Sequence, residues 1–198
     1  MKPATRTPAR PSRIRQRILD AARELFYRQG MRGVCVDAIV EAAGTNKMSF
    51  YRHFESKDAL LAECLGSFHA DYDAWWKATV GPHAGDARAQ IEALFASHAR
   101  RLGAAGSAGC VFGNAAVELR EELPEARTLI VAQKASLRRR LRALAREAGA
   151  GDPAMLGDAL LLLLEGASFT RMSVADPGPL KHLPQALGLL LDAALPPR

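Results

Sequence analysis

Apolar residues recur every three or four positions along most of this chain. No convincing run alternates in the two-residue rhythm of a half-buried strand, so the pattern predicts an all-α fold. Ile14, Ile18, Ala22, Leu25 and Phe26 predict a first helix from Ser12, a good N-cap, to Gln29, with Gly30 as its stop. Val36, Ile39, Val40 and Ala43 mark a short helix over 36–43, which Gly44 breaks. A second short helix over 46–54 opens on Asn46 and carries Phe50 and Phe54 one turn apart, and Ser56 caps a longer helix over 57–79 that Gly81-Pro82 ends. Five further helices are predicted over 86–103, 109–120, 124–148, 153–175 and 184–195, with Pro153 and Pro184 where a helix can begin. Residues 1–11, with three prolines and only positive charge, read as a disordered basic tail.

Charge divides the chain. Of 198 residues, the first 57 hold 12 Lys and Arg against 5 Asp and Glu, whereas the rest hold 15 against 16. The whole basic excess is N-terminal, which points to a polyanion partner there. The longest strongly apolar stretch, Ala159–Leu164, is far short of the roughly 20 residues of a membrane span, so no membrane association is expected. The N-terminus lacks the apolar segment of a signal peptide. Three separated cysteines, Cys35, Cys64 and Cys110, offer neither a disulfide framework nor metal-ligand spacing, so no metal or cofactor is expected, and a reducing cytoplasm fits best.

Two short helices joined through a glycine form a helix-turn-helix pattern, here VDAIVEAA and NKMSFYRHF across Gly44-Thr45. Ile39, Val40, Phe50 and Phe54 would pack the pair onto the first helix. Thr45, Asn46, Lys47, Met48, Ser49, Tyr51, Arg52 and His53 are left to face outward. Those residue types suit duplex DNA: Lys47 to neutralise phosphate or donate to guanine, Ser49 and Tyr51 to bond phosphate oxygens, Met48 to lie on a thymine methyl. Lys57 adds charge at the next helix.

The stretch RQRILDAARELFYRQGMRGVCVDAIVEAAGTNKMSFYRHFESKDALL resembles the DNA-binding domain of the TetR family of bacterial transcriptional regulators, FYRHFESKDALL being its most specific part. GCVFGNAAVEL, at 109–119, is also similar to a segment of many family members. The resemblance implies a DNA-binding domain over 12–56 and a ligand-binding and dimerisation domain over 57–198. It further implies a homodimer on a pseudo-palindromic double-stranded operator and a small-molecule effector that releases it. It places Lys47, Ser49, Tyr51, His53 and Lys57 at positions that contact DNA, mainly its phosphates. Cys35 stands where a capping Thr is common, Thr45 replaces a small apolar residue, Asn46 a Ser, and Met48 a Gly.

In the second domain Trp75, Phe95, Phe112 and Phe169, with His98, Asn114 and Glu118, are candidates to line an effector pocket. Leu160, Leu161, Leu164, Leu187, Leu190 and Leu191 exceed what one small core needs, and Gly166 would permit close approach, so these are the expected dimer residues. Glu165 is open between a pocket carboxylate and the polar end of a dimer helix. Arg138-Arg139-Arg140 reads as a solvated face, and Cys110 as an inert small side chain rather than a redox switch. With no HExxH, GxSxG or Walker A sequence, nothing asks for an enzyme. A non-specific DNA-compacting protein, using the tail, is the simplest competing reading.

Overall fold

A computed structural model describes residues 12–119, 123–174 and 178–197; the expected disordered tail, 1–11, lies outside them. The described residues form helices α1 (Arg13–Gln29), α2 (Val36–Ala42), α3 (Lys47–His53), α4 (Lys57–Val80), α5 (Ala87–Gly103), α6 (Val111–Leu119), α7 (Pro124–Glu147), α8 (Pro153–Ser173) and α9 (Leu183–Ala194), with 3-10 turns before α5 and α9. No strand occurs among them.

Local chemistry sets the boundaries. Ser12 Oγ accepts from Arg15 N–H at 3.2 Å and Asn46 Oδ1 from Ser49 N–H at 2.9 Å. Ser56, Asp86 and Asp152 cap α4, α5 and α8 in the same way, satisfying N–H groups that a helix start leaves without partners. Gly44 has φ +59°, and its carbonyl accepts from the Arg17 guanidinium at 3.1 Å. A Cβ there would lie 2.5 Å from that guanidinium and displace it, and the left-handed backbone itself favours glycine.

The chain packs as two units that meet inside α4, between Cys64 and Leu65. The seam is not at the start of α4, because Leu60, Leu61 and Cys64 in its first two turns are fully buried within the N-terminal unit. That unit also buries Ile18, Ala22, Phe26, Met31, Val34, Ile39, Phe50 and Phe54. Arg15 grips Glu63 through two hydrogen bonds of 2.8 and 2.6 Å, which fixes α1 to α4.

The C-terminal unit is built around a core drawn from α4, α5, α7, α8 and α9, including Ile91, Leu94, Phe95, Leu137, Leu141, Leu156, Leu160, Leu164, Leu187 and Leu191. Helices α7 and α8 cross so closely that a Cβ on Gly157 would lie 2.7 Å from Arg142 Cα. Asp158 beside the crossing takes two bonds from Arg138 and two from Arg142, which holds its carboxyl below the usual range. Arg140 meets Asp73 at 2.6 Å and stacks over Trp76. Two of the three arginines expected to be a solvated face are therefore engaged within the unit. Helix α8 is long and apolar enough by composition to cross a bilayer, longer than the six-residue apolar stretch suggested. It nevertheless carries Asp158, Glu165 and Arg171, and its buried side chains pack into the core just described.

Candidate nucleic-acid interface

The N-terminal unit presents α3 with one face inward and one outward. Phe50 is fully buried and stacks near Phe54, their ring centroids 5.8 Å apart. Opposite it, Lys47, Met48, Tyr51 and Arg52 are exposed, as are Asn46 and Cys35. The turn into α3 is set by three backbone bonds, Ala43 to Ile39, Gly44 to Glu41 and Thr45 to Val40, so a rigid corner rather than a loop aims this face.

Each expected contact residue has a specific place. Lys47 pairs with Asp37 of α2 at 2.8 Å, and that hydrogen bond raises the lysine pKa. Tyr51 stands edge-on to Phe50, centroids 5.1 Å apart, with its hydroxyl end outward. Thr45 and Ser49 are half-buried, and the Ser49 N–H is taken by the Asn46 cap. His53 is half-buried, with Nε2 3.2 Å from Ser12 Oγ at the head of α1. Cys35 occupies the N-cap of α2 without making a side-chain cap bond. Lys57 departs most from expectation. Its Nζ donates to the carbonyls of Val34 at 2.7 Å and Arg32 at 3.3 Å, so it ties down the α1–α2 connection. Sequence spacing gave no signal for Lys57's carbonyl partners or for Asp37, because the partners are ten or more residues away.

In the C-terminal unit the expected pocket residues separate. Phe95 and Phe112 are core, each 2% exposed. Trp75 donates to Ser97 Oγ at 2.8 Å under the Arg101 guanidinium, and the Asn114 amide closes the turn before α6 on Ala108 O at 2.8 Å. Glu118 is half-buried on α6. Phe169 is a correction: it is 65% exposed on an outer face of α8.

A polar cluster that the sequence did not reveal links α6, α7 and α8. Lys134 Nζ lies 2.6 Å from Glu165 Oε1 and 3.4 Å from Cys110 Sγ. Burial opposes the lysine's charge, yet Cys110 and Glu165 outweigh it and keep the pKa raised. Glu165 is thus a part-buried carboxylate paired within the unit. His98 Nε2 meets Ser168 Oγ at 3.0 Å, and desolvation, helped by Arg101, lowers the histidine pKa to about 4. Gln133, next to Lys134 in sequence, is buried, and its Oε1 has no partner among the described residues.

His98 carries a pH consequence. The unfolded chain takes up its proton near pH 6.5 and the folded chain only near 4. Stability is full above pH 6.5 and falls between 6.5 and 4, by at most about 3 kcal/mol. In thermal melts across that range, His98→Gln is expected to flatten this part of the profile.

The expected dimer residues divide. Leu160, Leu164, Leu187 and Leu191 are at most 4% exposed and belong to the unit's own core. Leu161 and Leu190 pack half-buried against it. The apolar surface left outside is Met155, Leu162, Gly166 and Phe169 on α8 and Leu189 on α9. A groove of ≈ 320 Å³ runs beside it, lined by Leu162, Leu163, Gly166, Thr170, Leu183 and Ala186.

The family model for bacterial regulatory proteins of the tetR family matches residues 18–64, the N-terminal unit. Among curated proteins, the transcriptional repressor DhaR of Mycobacterium sp. is 31% identical over 54% of this chain and 52% of its own length. KstR2 of Rhodococcus jostii is 34% identical over 56% of this chain and 53% of its own. The chain spans about half the length of these curated relatives. A solved TetR-type regulator from Streptomyces avermitilis is 35% identical over 92% of this chain and 98% of its own, with TM-score 0.81. The chain belongs to the TetR family. A second TetR-family structure, SCO4454 of Streptomyces coelicolor, superposes with TM-score 0.87 at 26% identity over 93% of this chain and 91% of its own. The relatives are DNA-binding transcriptional regulators and not enzymes. In this TetR-family chain α2 and α3 lie within the matched DNA-binding domain as its helix-turn-helix, and the similarity to the Streptomyces avermitilis regulator extends through the C-terminal unit.

Proposed function

We propose that this chain is a ligand-responsive, homodimeric repressor that binds a pseudo-palindromic operator and is released by a small molecule. The observation that carries the reading is the outward face of α3, where Lys47, Met48, Tyr51 and Arg52 stand exposed on a helix locked by buried Phe50. The first turn of a recognition helix meets base edges, and the cationic and hydroxyl groups around it meet phosphates. Cys35, Thr45, Asn46, Ser49 and His53 border this contact, and Lys57 braces it.

The exposed strip of Met155, Leu162, Phe169 and Leu189 supports a second copy as the partner of α8 and α9, since large contiguous apolar patches on a soluble chain mark interaction sites. A two-fold axis there would give two recognition helices and a symmetric operator. The part-buried cluster of Lys134, Glu165, Cys110 and His98 supports an effector site with fixed polar groups. An effector shifts DNA affinity only by favouring the released conformation, and α4, continuous from Lys57 to Val80, is the element that transmits it. The protein acts on DNA in the bacterial cytoplasm.

Retention of genomic fragments tests this at about 0.15 M salt, where weak surface electrostatics are screened. Enrichment of one pseudo-palindrome is expected. Retention of all fragments alike favours the DNA-compacting reading instead.

A further inference from the structure

Two outward groups of α2, Asp37 and Glu41, have the wrong sign for a phosphate surface, and Asp37 is the one paired with Lys47 of α3. Asp37, in the first turn of α2, has a side chain 68% exposed and lies 2.8 Å from Lys47 Nζ, itself 57% exposed. The pair also lies close enough to Tyr51 and Cys35 for both to bear on the lysine's charge. An exposed ion pair contributes little to folding, of the order of 0–1 kcal/mol, and a first-turn carboxylate on α2 about as much again through the helix dipole, so folding gives only a weak reason for aiming this carboxylate at Lys47. DNA gives a stronger one.

We infer that Asp37 is a specificity-determining residue: it holds the Lys47 ammonium in the first turn of α3, withholding it from indiscriminate phosphate contact and presenting it to a base edge. The inference rests on the reading of α3 as the recognition helix. A free lysine on this surface neutralises any phosphate it reaches and strengthens binding to every sequence alike. A lysine already paired gains much less from a phosphate, because it must leave Asp37 and strand that carboxylate beside the polyanion. At a base edge the cost disappears. Lys47 donates to guanine O6 or N7 while Asp37 stays paired, or Asp37 itself accepts from the N4 amino group of the cytosine in the same base pair. The pair therefore suits a C·G step and disfavours the backbone.

The test compares wild type, Asp37→Asn and Asp37→Asn/Lys47→Ala on two probes, a 30-base-pair duplex of random sequence and the fragment the wild-type protein retains from genomic DNA. Asparagine keeps the shape and removes the charge. On random duplex, Asp37→Asn is expected to bind roughly five- to tenfold tighter near 0.1 M salt, with the slope of log affinity against log salt steeper by about 0.9 per chain, or about 1.8 for a dimer with both recognition helices on DNA, as one added phosphate contact per chain requires. On the retained fragment its affinity is expected to change less or to fall, so the specificity ratio drops. The added lysine substitution should cancel the gain on random duplex. Equal slopes for wild type and Asp37→Asn, or a gain that survives Lys47→Ala, overturn the inference. Melting curves for each variant confirm that the fold is kept, which the exposure of both side chains leads us to expect. Should the wild-type chain bind neither probe at any salt, the reading of α3 itself fails, and the role of Asp37 with it.

Discussion

Replacing both Lys47 and Tyr51 with alanine is expected to abolish operator binding while leaving the protein folded. Tyr51 is 57% exposed and meets the core in an edge contact with Phe50. Lys47 makes an exposed ion pair with Asp37. Surface changes of this kind alter folding stability by about half a kcal/mol. Each contact to DNA is worth about 1–3 kcal/mol, and a two-fold-symmetric complex loses each of them twice. The expected outcome is at least about a thousandfold weaker operator binding by fluorescence anisotropy, with an unchanged thermal midpoint. Retained affinity in a folded variant would remove α3 from the interface.

The second large effect belongs to the outer face of α8. Leu162 is 73% and Phe169 65% exposed in the single chain. If a second copy covers them, Leu162→Glu together with Phe169→Glu places four carboxylates in one apolar interface. Each buried apolar side chain lost there is worth about 1.5–3 kcal/mol, before the cost of burying charge. Sedimentation is expected to give a dimer for wild type at micromolar concentration and a monomer for the variant, whose operator affinity falls in parallel. A monomeric wild type would remove α8 and α9 as the dimer face. A Leu160→Glu change would be a poor substitute: Leu160 is fully buried in the unit's own core, so unfolding would mask any effect on assembly.

That contrast marks where sequence reading stops. Many helix ends were legible because the boundary is local chemistry: Ser12, Asn46, Ser56 and Pro153 at starts, and Gly30 and Gly44 at stops; the caps of Asp86 and Asp152 emerged only in the structure. The outward face of α3 was legible for the same reason, since Phe50 and Phe54 fix which face turns inward. Orientation within α8 was not. Five consecutive leucines, 160–164, satisfy every helical face at once, so periodicity could not tell buried Leu160 and Leu164 from exposed Leu162. Phe169 looked like a pocket residue because aromatic character says nothing about the side of a helix it occupies. Polar partners distant in sequence were also hidden. Lys57 on the carbonyls of Arg32 and Val34, Lys134 between Cys110 and Glu165, and Lys47 on Asp37 all depend on tertiary packing that no short spacing encodes.

The central claim is that one chain places α3 in the major groove and a second chain does the same across a two-fold axis. A hydroxyl-radical footprint on the genomic fragment that the purified protein retains tests it most directly. The expected result is two protected segments related by a dyad, with centres about 34–36 Å apart or a multiple of that, the spacing at which successive major grooves face one side of the duplex. A single protected segment, or uniform protection without a dyad, would contradict it.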